Sequence, residues 1–479
     1  MVYDIVIIGA GVIGCFLARD LAKYQLKVAV LEKNNDVGNE TSNANSAIIH
    51  SGYDPLPHSL KAQLNVKGNL MYDQICEDLD VKFHRIGSIT LAISDEDVIT
   101  LKELQKRASE NNVNTTWLTK EEVLKLEPNV SKNIKAGLLA TSAGIIDPFN
   151  LCVHLMENAI DNGVELFLNT KVDSIDKKDN IFVINQTFQA KVVINCAGLF
   201  ADEINEMVNP KSFQIIPRKG EYYVLNHFDN NFVKHTLFLV PSQKGKGVLI
   251  SPTTSYNYLI GPSAEVCEKE DKDTDKITLN EVKKAASMMI ENIPFHQVIR
   301  TFAGIRPTPD THDFIIEESQ TKGFINCAGI ESPGLASAPA ISLKVIQEIL
   351  IHHFTLQVKE NYQPKVRKYI CFKDLSLEEK NQMIMQDKTY GELVCRCEQV
   401  TKGEILDSLS RSCPPHSIKA LKKRLRVGFG KCQGGMCQSS ALKILANYYH
   451  LSLNEIPYDS KESYILLNEL KGNLTNEKR

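Results

Sequence analysis

Apolar and polar positions alternate along this chain with periods that predict distinct stretches. Two short apolar runs, residues 2–8 and 27–31, flank a helical pattern from Cys15 to Tyr24. That is the layout of a βαβ unit whose strands are buried on both faces. Residues 61–80, 95–111 and 119–126 have helical periodicity, and the last opens on Thr119-Lys-Glu-Glu122, a capping box. Residues 87–93 and 137–140 read as strands. Asp147-Pro148 opens a helix over 148–162, and 164–168 and 171–175 read as short strands before a hairpin turn at Asp179-Asn180. Residues 191–198 form a second buried strand ending in small residues.

From 215 to 302 the pattern turns to short strands with polar connections (221–225, 236–240, 247–252, 258–261), then the charged loop 268–276 and a helix over 279–293. This switch marks a separate antiparallel domain. A buried strand returns at 323–328, and a glycine-rich loop leads into a helix over 336–353, so the first domain is discontinuous. Residues 356–389 are a polar, charged connector with little apolar periodicity. Two further helices follow at 401–410 and 417–426.

The first turn carries chemistry. Gly9-Ala10-Gly11-Val12-Ile13-Gly14 joins strand to helix, and Glu32 ends the second strand eighteen residues after the last glycine. Gly9 permits the tight turn, Gly11 admits a pyrophosphate close to the backbone, and Gly14 lets helix and strand pack. The N–H groups at Val12 and Ile13 open a helix whose positive end favours phosphate. Glu32, with Lys33 beside it, can hold a ribose hydroxyl. Ser42, Asn43 and Ser46, in a polar stretch without periodicity until Ala47, are candidate pyrophosphate contacts. The fingerprint predicts a dinucleotide and fits NAD or FAD. No second G-x-G-x-x-G occurs, which argues against a separate nicotinamide domain.

At 479 residues the chain needs more than one core. Its 43% hydrophobic content is ordinary for a globular protein, and a net charge of −3 gives no reason to expect nucleic acid. No stretch approaches the roughly 20 apolar residues of a bilayer span. Twelve cysteines without a secretory leader predict a reducing, cytoplasmic setting, with peripheral membrane attachment through a partner still open.

The stretch Asn45-Ser46-Ala-Ile-Ile-His50-Ser-Gly52, followed by Ser59-Leu-Lys-Ala62, resembles FAD-dependent glycerol-3-phosphate and L-2-hydroxyglutarate dehydrogenases and oxidases, of the D-amino-acid-oxidase-like superfamily. The resemblance implies FAD rather than NAD, and it places His50 at the reacting centre as the base that takes the hydroxyl proton. An imidazole suits that role because it titrates near neutrality. In Gly304-Ile-Arg306-Pro it implies that Arg306 clamps the substrate's anion, a task suited to a planar fork of donors. It further implies flavin contacts from Val172, Ala197, Gly198, Gly304, Gly329, Ile330, Gly334 and Leu335, with the 329–334 loop aiming dipoles at the flavin N1–C2 region. Lys219 is a secondary anion candidate. Tyr53-Asp-Pro-Leu-Pro57 departs from the tyrosine-rich continuation of several relatives.

Near the C-terminal end, Cys395-Arg-Cys397 and Cys432-Gln-Gly-Gly-Met-Cys437 stand thirty-five residues apart with two helices between them. Four thiolates can hold a 2Fe–2S cluster or a zinc ion. Glycines 428, 430, 434 and 435 would supply backbone N–H groups to the sulfurs. The pattern C-R-C-E-x-V-T…G-x-C-Q-G-G-x-C resembles the bacterioferritin-associated ferredoxin-like domain, which implies 2Fe–2S. That domain is also appended to the catalytic subunit of anaerobic glycerol-3-phosphate dehydrogenases and to opine oxidase subunits. Cys413 lies outside the motif and reads as incidental. The basic run Lys419, Lys422, Lys423, Arg424 and Arg426 reads as a solvated helix face, with docking of an acidic electron-transfer partner as the lesser alternative.

The expected fold is α/β: a Rossmann-type FAD-binding domain (about 1–85, 145–210 and 300–355) interleaved with an α+β antiparallel-sheet substrate domain (about 86–144 and 211–299). A small helical four-cysteine iron–sulfur domain at 390–455 and a tail at 456–479 follow the connector. The expected activity is FAD-dependent oxidation of sn-glycerol 3-phosphate to dihydroxyacetone phosphate, with electrons leaving through the cluster to an acceptor protein or companion subunits. Oxidation of a 2-hydroxy acid such as L-2-hydroxyglutarate, or a pure electron-relay role, are the alternatives.

Overall fold

The computed structural model describes residues 2–241 and 247–468, so residues 469–479 of the expected tail lie outside the described residues. The chain divides into two compact units, one of Met1–Leu31 and Val37–Val366, the other of Glu32–Asp36 and Arg367–Arg479.

In the first unit, Val2–Ile8 (β1) and Val28–Leu31 (β2) pair in parallel from Ile5↔Val28 to Ile8↔Leu31, with Val12–Ala22 (α1) crossing between them. Ile5, Val6 and Ile7 are wholly inaccessible, which is why this strand carries no polar alternation. The helix Leu60–Asn69 (α2) starts at Ser59, whose side chain accepts from the Ala62 amide. Four strands complete the frame: Phe188–Asn195 (β3), Ile215–Leu225 (β4), Val298–Pro309 (β5) and Phe324–Ala328 (β6). After them comes the helix Gly334–Lys344 (α3), which packs on α1 and α2. Strand β3 lies parallel to β1 on the side away from β2, and β6 lies parallel to β3.

The second sheet is mostly antiparallel. Its strands run Glu265–Val266, β4, Tyr258–Gly261, Leu249–Pro252, Thr236–Leu239, Ser88–Ala92, Ala136–Ala140 and Thr116–Thr119, with β5 on the other edge of β4. One pair departs from the expected antiparallel order: Thr236–Leu239 is parallel to Ser88–Ala92.

Several element readings need correction. Residues 61–80 are two helices, α2 and Tyr72–Asp78, because the chain turns at Leu70 and Met71. Residues 171–174 are not strand; pairing starts at Ile175, in the hairpin Ile175–Lys178 with Ile181–Ile184. The polar stretch after Glu32 contains a 3-10 turn, Thr41–Asn43. The helix expected over 336–353 is α-helical only to Lys344 and then widens into a π turn, Val345–Ile349. The continuous run Gly334–His352, with mean hydropathy 1.4, does reach the length and apolarity of a span, yet 61% of it is buried inside the protein, as suits a core helix.

In the second unit a short hairpin, Leu393–Cys395 with Val400–Thr401, leads into helices Lys402–Leu409, Ile418–Leu425 and Gln438–Tyr449. Ile405, Leu421, Ala441 and Leu445 fill the space among them. Thr401 and Glu404 form a reciprocal capping box, and Ser417 caps the second helix. The connector is not structureless: Leu377–Gln386 is a helix, started by a Ser376–Glu379 capping box.

The basic run is the largest correction. Lys422, Lys423 and Arg424 are 4%, 2% and 3% exposed, not solvated. Lys423 Nζ lies 2.6 Å from Asp36 Oδ2, and Arg424 reaches both Asp36 oxygens at 2.9 and 3.0 Å. Burial alone would raise the Asp36 carboxyl, but Arg424 and Lys423 outweigh it and hold the group well below the usual carboxylate range. Arg424 also donates twice to the main-chain carbonyl of Cys413, which gives that residue a structural use.

Candidate functional site

Gly9 adopts φ +101°, and a Cβ there would sit 2.6 Å from the Cys196 carbonyl at the end of β3. A Cβ on Gly14 would fall 2.0 Å from the Gly9 carbonyl. Both positions therefore exclude any side chain, as strand, turn and helix meet. The Val12 amide donates to Ser42 Oγ at 2.9 Å, so Ser42 stands at the N-terminus of α1, where a pyrophosphate oxygen would bind. Gly198, at φ +57°, faces open space. Glycine-lined backbone, a helix N-terminus and a hydroxyl beside it fit a dinucleotide. Glu32, 6% exposed, accepts from the main-chain and side-chain amides of Asn34 at 2.9 Å each, and Lys33 is half-buried. Val172 is buried with Ala29 and Leu31, so its side chain is core.

The residues expected at the reaction lie on one face of the antiparallel sheet. Paired residues in neighbouring strands share a face. The pairs Phe238↔Leu249, Leu249↔Gly261 and Arg218↔Arg306 define one face, with Tyr222, Gly220 and Gly304 on it by alternation. The His50 ring stands 5.9 Å from the Phe238 ring. Arg306 extends over Gly220, where a Cβ would meet its guanidinium at 2.6 Å, and donates to the Ser263 carbonyl at 3.2 Å. The loop after β2 closes on the same face: a Cβ on Gly304 would be 1.9 Å from the Ala44 carbonyl, and Ser46 Oγ lies 2.8 Å from the Tyr222 hydroxyl. Asn43 is half-buried in this loop.

Lys219 lies on the opposite face. Its Nζ is taken by Asp271 Oδ2 at 2.8 Å and the Asp273 carbonyl at 2.9 Å, so the secondary anion role is not where the structure puts it.

Sequence patterns did not reveal what holds these groups. The His50 carbonyl accepts from Asn65 Nδ2 at 2.6 Å and Asn69 Nδ2 at 3.0 Å, both on α2, which fixes the backbone that carries the imidazole. Asn65 Oδ1 is buried without a partner, and Asn65 lines a cavity with His50, Tyr53, Asp54, Thr90 and Phe238. Lys61 Nζ meets Glu331 Oε1 at 2.7 Å, and Thr308 Oγ1 donates to Glu331 Oε2 at 2.7 Å. These contacts tie the Gly329–Gly334 loop to α2 and β5. Within that loop, Gly329 takes φ +64° and a Cβ on Gly334 would meet Ile330 at 2.6 Å. The Leu335 carbonyl accepts from the Tyr72 hydroxyl. Asparagines on a helix face carry no functional pattern; only the spacing 65 and 69, one turn apart, would have hinted at a shared target.

In the second unit no three His, Cys, Asp or Glu side chains among the described residues gather at one point. The four motif thiols stand as two pairs: Cys397 and Cys432 sulfurs are 3.7 Å apart, and Cys395 lies against Cys437. The Cys432 thiol is lowered by the backbone N–H groups of Met436, Gly434 and Gly435, a nest that favours thiolate. Burial, together with Cys395, pushes the Cys437 thiol up to about 12. Two cysteine pairs, one with backbone amides aimed at its sulfur, fit a two-iron cluster, whose iron would displace the thiol protons.

Residues 4–347 match the FAD dependent oxidoreductase family, and residues 393–447 match the BFD-like 2Fe-2S binding domain. The chain is 46% identical to a glycerol 3-phosphate dehydrogenase of Caloramator mitchellensis, covering 98% of this chain and 99% of that one. It is 34% identical to a glycerol 3-phosphate oxidase of Mycoplasma genitalium, over 75% of this chain and 97% of the relative. Among solved structures it resembles dithionite-reduced L-alpha-glycerophosphate oxidase from Mycoplasma pneumoniae with FAD bound, with TM-score 0.73 and 32% identity over 76% of this chain and 98% of that one. The fingerprint, the discontinuous sheet and these matches agree: the chain belongs to the FAD dependent oxidoreductase family and carries a 2Fe–2S binding domain after it.

Proposed function

We propose that this chain oxidises sn-glycerol 3-phosphate to dihydroxyacetone phosphate and passes the electrons on singly through its iron–sulfur domain. The observation that carries this reading is the shared sheet face: His50 beside Phe238 and the Arg306 guanidinium over Gly220 look onto the loop that bears Ser42 and Ser46. Bound FAD supplies the hydride acceptor, and the cluster supplies a one-electron carrier. His50 takes the proton from the substrate hydroxyl while the hydrogen on the same carbon leaves as hydride. Arg306 orients the substrate by its anion, so that carbon reaches the acceptor in one pose. Asn65 and Asn69 keep the His50 backbone still.

The likeness to whole-chain glycerol 3-phosphate dehydrogenase supports this substrate over a 2-hydroxy acid, and the appended 2Fe–2S domain supports a dehydrogenase over a peroxide-forming oxidase. Electron exit implies an acceptor protein or companion subunit. The test is anaerobic addition of small alcohols to the purified holoprotein. Glycerol 3-phosphate should bleach the flavin band and L-2-hydroxyglutarate should do so poorly. The reverse order would overturn the substrate, and bleaching by none of them would leave only an electron-relay role.

A further inference from the structure

Arg218 sits directly opposite Arg306 in the β4–β5 ladder, so both side chains leave the sheet on the face that carries the proposed reaction. Like charges placed opposite each other on one face repel, and such pairs ordinarily recruit carboxylates. Here the acids lie elsewhere. Glu221 is on the other face, where it accepts from the Asp275 amide, and Asp271 is taken by Lys219. Among the described residues Arg218 has no hydrogen bond or ion pair, and its Nε is buried without a partner. Among the described residues the partner of Arg306 is neutral, the Ser263 carbonyl. Two partly buried arginines paired across the ladder on one face, one carrying an unmet buried donor, suit a compact dianion.

We infer that Arg218 is a second substrate-binding residue, and that the pair Arg218–Arg306 selects a phosphate monoester dianion. This rests on the reading above and sharpens it. One arginine fork satisfies a carboxylate, which offers two oxygens. A terminal phosphate offers three and carries a second charge at neutral pH, which two forks can share.

The test uses the oxidised holoprotein and two readouts. Calorimetric titration with inorganic phosphate and with glycerol 3-phosphate measures the anion site without turnover. Anaerobic flavin reduction by glycerol 3-phosphate and by uncharged glycerol separates binding from chemistry. Arg218→Gln should weaken binding of both phosphates by about 10–100-fold, the usual worth of a charge-assisted hydrogen bond. Its effect on flavin reduction should fall on the half-saturating glycerol 3-phosphate concentration more than on the saturating rate, and reduction by glycerol should fall less than reduction by glycerol 3-phosphate. Arg218→Lys, which keeps the charge and loses the fork, should fall between Arg218→Gln and wild type. Unchanged phosphate affinity in either variant overturns the inference, as does an equal loss with glycerol, which would mean a structural role. If Arg218→Gln loses its FAD, Arg218→Lys decides alone by the same comparison. Arg218-dependent phosphate binding in a wild-type protein that glycerol 3-phosphate does not reduce would sink the proposed reaction and keep the anion site.

Discussion

Replacing Asp36 by Asn should destabilise the second unit by about 3 kcal/mol, because it strands two buried cations. The carboxylate and both partners are almost fully inaccessible: the Asp36 side chain is 2% exposed, that of Lys423 2% and that of Arg424 0%. Removing one partner of a buried ion pair typically costs about 3–5 kcal/mol, and the remaining amide oxygen of Asn can still accept one N–H, which sets the lower end. The assay is urea unfolding of the holoprotein at pH 7, followed by loss of the visible iron–sulfur absorbance. With an m-value of about 1–3 kcal/mol/M, the midpoint should fall by roughly 1–3 M. Adding Lys423→Met to Asp36→Asn should recover part of the loss, since it removes one of the unpaired charges. The pH dependence follows from the sign of the shift. The folded carboxyl is held below its ordinary value, so its stabilisation is complete above about pH 5 and lost as pH falls toward the folded value. The gap between wild type and Asp36→Asn should therefore close on acidification. A stability within about 0.5 kcal/mol of wild type at pH 7 would refute the account, because surface pairs behave that way.

Three other outcomes are expected. His50→Asn should retain the flavin spectrum while substrate-driven reduction slows by about 10²–10⁴-fold; reduction at the normal rate would make His50 structural. Gly304→Ala should lower FAD retention on gel filtration, since its Cβ would lie 1.9 Å from the Ala44 carbonyl, and full retention would mean that the loop after β2 shifts freely. Anaerobically purified protein should contain two irons and two acid-labile sulfides per chain, whereas zinc alone would make the domain a structural clip; Cys432→Ser should spare flavin reduction by substrate and slow transfer to the acceptor.

The elements near the fingerprint could be read from sequence because local rules decide them: buried strands are apolar throughout, and a helix N-terminus after glycines has few alternatives. The capping box at Thr119 was equally informative, and Thr401–Glu404 and Ser376–Glu379 held the same message unread, the latter within a polar composition. What could not be read depends on partners far away in the chain. Lys423 and Arg424 have the periodicity of a solvated face, and only Asp36, almost 390 residues earlier, turns it inward. The long β4–β5 ladder was obscured by Pro217 and Pro307, which normally interrupt strands. In the ladder they stand opposite each other, so neither deprives a neighbour of a donor it would otherwise need. The His50 segment was legible as a motif, but its supports, Asn65 and Asn69, were not, because their shared acceptor is a main-chain carbonyl.

The contact between Gly9 and the Cys196 carbonyl bears on how the protein is made. The fingerprint at residues 9–14 precedes by far the wall behind it, which arrives with β3, and the second parallel neighbour of β3 comes only with residues 324–328. A nascent chain that stops short of residue 196 thus displays the glycine signature without the cradle that shapes it. The cradle is complete only once residues 324–328 are in place, and the thiols of Cys432 and Cys437 lie still further along the chain. Chain order thus completes the wall of the flavin cradle before it supplies the last two cysteines of the cluster motif.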